Sequence, residues 1–93
     1  MKAKKNLEAL WEFLNNEFDA EEIENAAEEC ELDTAQFDSA VFDALSEDSA
    51  RALLFDLAYM AINGLFGGDF GTWNEVLHYN LQFDEETIDF LNY

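Results

Sequence analysis

The chain has 93 residues, of which 49% are hydrophobic, and it contains nine Phe, three Tyr and two Trp. That composition excludes a disordered acidic tail, which is poor in aromatics, and sets the expectation of one folded domain over residues 1–93. Against 22 Asp and Glu stand four Lys and Arg, a net charge of −18 where a small domain usually carries a magnitude of about 2–8.

Lys2, Lys4 and Lys5 make the start of the chain basic, and residues 1–5 are expected to form a mobile N-terminus. From Asn6 onward the only fixed positive charge is Arg51. Leu7, Leu10, Trp11, Leu14 and Phe18 recur with the helical period, and Asn15-Asn16 marks fraying or a stop. Asp19 with Glu22 forms a capping box for a second helix with the apolar stripe Ile23, Ala26, Ala27 and Cys30. Asp33 with Gln36 repeats that pattern and predicts a third helix burying Phe37, Ala40, Val41, Ala44 and Leu45. Ser46 or Ser49 caps a fourth helix, over about residues 49–63, with Gly64 as the residue just past its end. Leu53, Leu54, Phe55, Leu57, Ala58, Tyr59, Met60, Ala61 and Ile62 surround that helix almost completely, as in the buried centre of a bundle. All four glycines fall within residues 64–71, read as a loop. Thr72 with Glu75 predicts a short helix carrying Val76, Leu77 and Tyr79, and Asp84 opens a last one with Ile88 and Leu91 inward.

Period-2 alternation of β-branched residues is nearly absent. The expected fold class is all-α: a compact bundle of five to six short helices around a central apolar helix. Gln36-Phe37-Asp38 recurs as Gln82-Phe83-Asp84, too little to signal a repeat architecture.

Several chemistries are excluded by residue type and spacing. A single cysteine, Cys30, builds no internal disulfide framework and fits a reducing compartment. No apolar leader follows the lysines, and the longest apolar stretch, Ala52 to Leu65, is interrupted by Asp56 and too short to cross a bilayer. A cytoplasmic protein is expected. Its negative surface repels anionic lipid and nucleic acid, so neither a membrane nor direct nucleic-acid binding is expected. The Gly-turned calcium loop is missing, and one His with one Cys makes no zinc site; no metal and no cofactor are expected. His78 reads as a surface or partly buried histidine. Glu29 and Glu31 flank Cys30 and oppose a reactive thiolate. The Gly-rich loop lacks Lys and Arg and contains Asp69, which argues against a phosphate cradle. No catalytic residue emerges, and an enzyme is not expected. Phe66 and Phe70 are either core plugs or exposed anchors, and Arg51 is placed to pair with Glu47 one turn earlier.

The densest acidic tract runs from Glu17 to Asp33. Glu21, Glu24, Glu28 and Glu31 fall at spacings of three and four on the second helix, and each like-charge neighbour there opposes the helix by about 0.2–0.5 kcal/mol. Glu17, Glu22, Glu29 and Asp33 surround this stripe, with Asp19 in the same tract. Asp84, Glu85, Glu86 and Asp89 form a second candidate patch. Four helical residues rise about 6 Å, similar to the phosphate spacing of a nucleic-acid strand. A domain of this length is roughly 30 Å across, and duplex DNA presents about 18 charges over that length, close to the protein's own total.

A Pro-free helical chain, with its Lys and Arg almost confined to the start and acids everywhere else, resembles the phage-encoded DNA-mimic inhibitors, antirestriction and anti-CRISPR proteins among them. The resemblance is one of composition over the whole chain, with no family motif matched. It implies carboxylates standing in for phosphates in the nucleic-acid groove of a host defence enzyme, in the host cytoplasm. The expected partner is a basic nucleic-acid-binding protein, and the expected state a monomer or homodimer. The alternatives are an immunity protein or antitoxin capping a basic toxin, or an ordinary acidic domain of a halophile.

Overall fold

The computed structural model describes residues 2–92. Among these residues the structure is all-helical and strand-free: α1 (Lys2–Glu17), α2 (Ala20–Glu29), α3 (Ser39–Asp43), α4 (Glu47–Met60), α5 (Phe70–Glu75) and α6 (Glu85–Leu91). A 3₁₀ turn, Thr34–Gln36, precedes α3, and wide π turns, Ala61–Leu65 and Val76–Asn80, extend α4 and α5. The radius of gyration is 12.1 Å and the molecule measures 29 × 28 × 22 Å.

α1 is longer than its sequence signals. The Ala3 N–H, one of the donors that a helix start leaves unsatisfied, donates to Glu47 Oε1 at 2.8 Å. Lys4 Nζ donates to the Asp43 carbonyl at 2.9 Å, and Lys2 is ion-paired with Asp84. Lys2 to Lys5 are therefore the first turn of α1, not a mobile N-terminus; Met1 lies outside the described residues. Nor do Asn15-Asn16 stop the helix. The Asn15 side chain donates back to the Trp11 carbonyl at 2.8 Å, and the chain stays helical to Glu17.

α2 starts at the expected capping box: Glu22 N–H donates to Asp19 Oδ1 at 2.8 Å, and Asp19 N–H to Glu22 Oε1 at 3.3 Å. The predicted third helix is broken in two. Asp33 accepts from Ala35 N–H at 2.9 Å and closes only the 3₁₀ turn. Asp38 then accepts from Ala40 N–H at 2.8 Å and begins α3 anew, because a short acidic side chain offers the backbone a local alternative to continuing the helix. The new register buries Phe37 and Phe42 and leaves Ala40, Val41 and Ala44 exposed.

Ser46 caps α4, accepting from Ser49 N–H at 3.2 Å. Leu53, Leu54, Leu57, Ala58, Met60, Ala61 and Ile62 are buried, so α4 is the hub of the core. It runs parallel to α1: Ala3 meets Glu47 at one end, and Phe18 meets Phe66 edge-on at the other, with ring centroids 5.6 Å apart. Its outer side is not enclosed, since Tyr59 is 53% exposed and Phe55 is half-buried. The side of α4 that carries Phe55 and Tyr59 therefore stays open.

Gly64 is not the residue past the end of α4. It sits inside the π turn, where a Cβ would lie 2.5 Å from Ala26 Cβ, so it allows α2 to cross the end of α4. The loop proper is only Phe66 to Asp69, and Gly67 and Gly68 supply its positive φ angles of 62° and 79°. Asp69, rather than Thr72, caps α5, accepting from Thr72 N–H at 3.1 Å and Thr72 Oγ1 at 2.7 Å. Phe66 packs on Phe18 and on Trp73, the largest fully buried side chain, whereas Phe70 is 52% exposed. Asp84 caps α6 as expected, with Ile88 and Leu91 buried.

Candidate acidic binding surface

Of the 22 acidic residues, 20 are exposed; Glu47 and Asp56 are half-buried. The positive charges are unevenly placed. Lys2, Lys4 and Lys5 occupy the first turn of α1, and Arg51 lies in the first turns of the parallel helix α4. Lys2 and Arg51 line the same depression. All four cations are thus gathered at one pole. The pole is also where cations are consumed structurally: Lys2 by Asp84, Lys4 by the end of α3, and Arg51 by the Phe90 ring, 4.3 Å from its guanidinium. The expected Arg51–Glu47 pair does not form, because Glu47 is turned to the start of α1.

The opposite pole lies at the other end of α1, fifteen residue steps or about 22 Å away. There the chain reverses into α2, and Glu17, Asp19, Glu21, Glu22, Glu24, Glu28, Glu29, Glu31 and Asp33 are all exposed. Among the described residues none of them pairs with a cation. Three features of this pole work against its own stability. Glu21, Glu24 and Glu28 repel one another along one face of α2. Glu28 and Glu29 occupy the last turn of α2, which carries no basic residue although the helix dipole favours a cation there by about 0.3–1 kcal/mol. Glu31 has φ 58°, the left-handed conformation that is normally left to glycine.

That last feature corrects the predicted stripe. Leu32 N–H donates to the Ala27 carbonyl at 2.8 Å and Glu31 N–H to the Glu28 carbonyl at 3.1 Å, the bond pair of a Schellman motif. α2 therefore ends at Glu29, and Glu31 lies past its end, off the helical period that Glu21, Glu24 and Glu28 share.

The second predicted patch is of a different kind. Asp84 is committed to capping α6 and to Lys2, and these bonds hold its carboxyl well down, at about 2. Glu85, Glu86 and Asp89 are exposed on α6, at the cationic end of α1. The two patches consequently do not merge into one face. Glu86 and Asp89 instead edge an apolar channel between α4 and α6, which the sequence reading missed. Its signal was present in Phe55 and Tyr59, aromatic residues one turn apart on a helix read as enclosed.

The remaining reactive groups stand apart. Burial, and secondarily Glu29, pushes the Cys30 thiol up, which favours the inert thiol form. His78 is exposed, its ring 6.4 Å from Tyr79. Among the described residues no three His, Cys, Asp or Glu side chains come together as metal ligands, and no helix is long and apolar enough to cross a membrane. Comparison with protein-family models, with curated proteins and with solved structures yields no match.

Proposed function

We propose that this protein is an acidic inhibitor that binds a basic nucleic-acid-binding protein, its α1–α2 carboxylates standing where nucleic-acid phosphates would lie. The class of target is a bacterial defence nuclease complex. The observation that carries this reading is the run of nine exposed acidic residues from Glu17 to Asp33, none of which pairs with a cation among the described residues. Repelling carboxylates, acids at the wrong end of a helix and a glutamate in a glycine conformation all fall between Glu21 and Glu31. Elsewhere Asp38, Asp69 and Asp84 cap α3, α5 and α6, although Gln82 also has a positive φ of 53° and Asp43, Glu75 and Asp89 also stand in last turns without a cation. So many uncompensated carboxylates at one reversal of the chain point to a demand other than folding.

The size of the molecule supports the same reading. Over its 29 Å length, duplex DNA carries about 17 charges, against a net −18 here. The mechanism is competitive occlusion. The negative field speeds encounter with a basic groove, and the fixed spacing along α2 presents carboxylates at a pitch close to that of phosphates. No proton or electron transfer is involved.

The test is reversal of the pole with Glu21→Lys, Glu24→Lys and Glu28→Lys. The variant is expected to lose its partner by about a hundredfold or more at roughly 50 mM salt. It keeps the wild-type helical spectrum, because all three positions are exposed. Wild-type affinity is expected to fall steeply as salt is raised to about 0.5 M. Binding that survives both the reversal and the salt would sink the reading.

A further inference from the structure

Beyond the carboxylate pole, the open side of α4 carries a second surface that does not depend on phosphate mimicry. α6 lies along that side without filling it. Phe55 and Phe90 meet with ring centroids 5.7 Å apart and form the floor of a channel. Tyr59 and Phe70, 53% and 52% exposed, continue it toward Asn63 in the π turn after α4. The depressions along this side adjoin one another: Arg51 and Phe90 line three of them, and Phe55 links two of these to the fourth, beside Tyr59 and Phe70. From Asp48 to Asn63 the channel follows fifteen residue steps, about 22 Å, or four helical turns. Contiguous exposed apolar surface of this kind, rimmed by polar groups, marks an interaction site.

The rim selects the occupant. Glu47, Asp48, Asp56, Glu86 and Asp89 line the channel against only Lys2 and Arg51, and Lys2 is already paired with Asp84. A second copy of this chain would bring another net −18 to a negative rim, and a nucleic acid would bring phosphates. A cationic helix with one apolar face matches both parts. Its aliphatic or aromatic residues at i and i+4 would meet Phe55 and Tyr59, which have that same spacing on α4, and its Lys or Arg would meet the rim. We infer that the channel between α4 and α6 is a docking site for a basic amphipathic helix of a partner protein. Asp56, half-buried at the edge of the channel, would receive one of those cations.

The test uses the full chain, labelled with ¹⁵N, and two synthetic peptides of about 15 residues. Both contain the same Leu and Lys. In one the Leu fall at i, i+3, i+4 and i+7, and in the other they are scattered. The amphipathic peptide is expected to bind about tenfold more tightly than its isomer, with the largest shifts at Phe55, Tyr59 and Phe90. Tyr59→Ser with Phe70→Ser, both at half-exposed sites, is expected to remove that preference. Glu86→Lys with Asp89→Lys, which leaves the floor intact, is expected to weaken the amphipathic peptide about tenfold. Equal binding of the two peptides, or shifts confined to α1 and α2, would overturn the inference. So would channel shifts produced by duplex DNA, or by concentrating the chain alone. Reversal of Glu21, Glu24 and Glu28 leaves the peptide preference unchanged, which separates failure of this site from failure of phosphate mimicry.

Discussion

Glu31 and Asp84 show how differently two acidic residues can stand toward the fold. Glu31, at φ 58°, holds a conformation that costs an L residue with a Cβ about 1–2 kcal/mol. Glu31→Gly is therefore expected to stabilise the chain by about 1 kcal/mol, seen as a higher urea midpoint with an unchanged slope. A lower midpoint would mean that the glutamate side chain itself supports the turn. Asp84 is the opposite case, because its carboxylate caps α6 and pairs with Lys2. Its folded pKa of about 2 lies below the ordinary 3.8, so its contribution is complete above the ordinary value and is lost as pH falls through the folded one. Asp84→Asn keeps a capping oxygen but loses the charge. The gap in stability between the two proteins is expected to be present near pH 7, to shrink below about pH 4 and to close near pH 2. A gap of constant size across that range would show that the charge does not matter. The cap at Asp84 was legible from sequence. The strained φ at Glu31 was not, because a spacing of three and four runs on smoothly through the point where the backbone leaves the helix.

At the scale of elements, start signals were the most readable part of the sequence, and stops the least. Phe18-Asp19, Phe37-Asp38 and Phe83-Asp84 each place a buried or half-buried Phe before an Asp cap, and Ile23, Phe42 and Ile88 follow at the fourth helical position. That is the hydrophobic staple, and it explains the echo between Gln36-Phe37-Asp38 and Gln82-Phe83-Asp84 as one starting device used twice. The π turns gave no such signal. Phe66 N–H reaches the Ala61 carbonyl at 2.8 Å and Leu81 N–H the Val76 carbonyl at 2.9 Å, and such i→i−5 bonds depend on tertiary packing rather than on residue type. Gly64 shows the consequence, since its meaning lies in the crossing with Ala26 and not in helix termination. Gly64→Ala is expected to destabilise by about 1–3 kcal/mol, although alanine is the better helix former. Ala26→Gly in the same chain is expected to return part of that loss, giving a favourable coupling of about 1 kcal/mol in a double-mutant cycle. Simple additivity of the two changes would show that the helices do not meet there.

For the molecule as a whole, composition foretold an all-helical core and an acidic surface, but not their arrangement. The polarity arises from the fold: α1 and α4 run parallel, so the lysines that begin one helix and the arginine that begins the other end up together. The acidic α1–α2 reversal is left about 22 Å away with no cation beside it. Parallel packing of two helices separated by 29 residues in sequence leaves no trace in local periodicity, which is why the distance between the two candidate acidic patches was not legible. The open α4–α6 channel escaped notice for a related reason, because an apolar residue on a helix reads as buried until its neighbours are counted.

The displacement of a bound partner by nucleic acid tests the central claim most directly. The chain is immobilised at roughly 50 mM salt, loaded with bacterial lysate and then washed with duplex DNA. Nucleic-acid-binding proteins are expected to be retained and then released by duplex at a phosphate concentration that leaves the bulk ionic strength unchanged. Retained proteins that duplex fails to release would contradict phosphate mimicry at the α1–α2 pole.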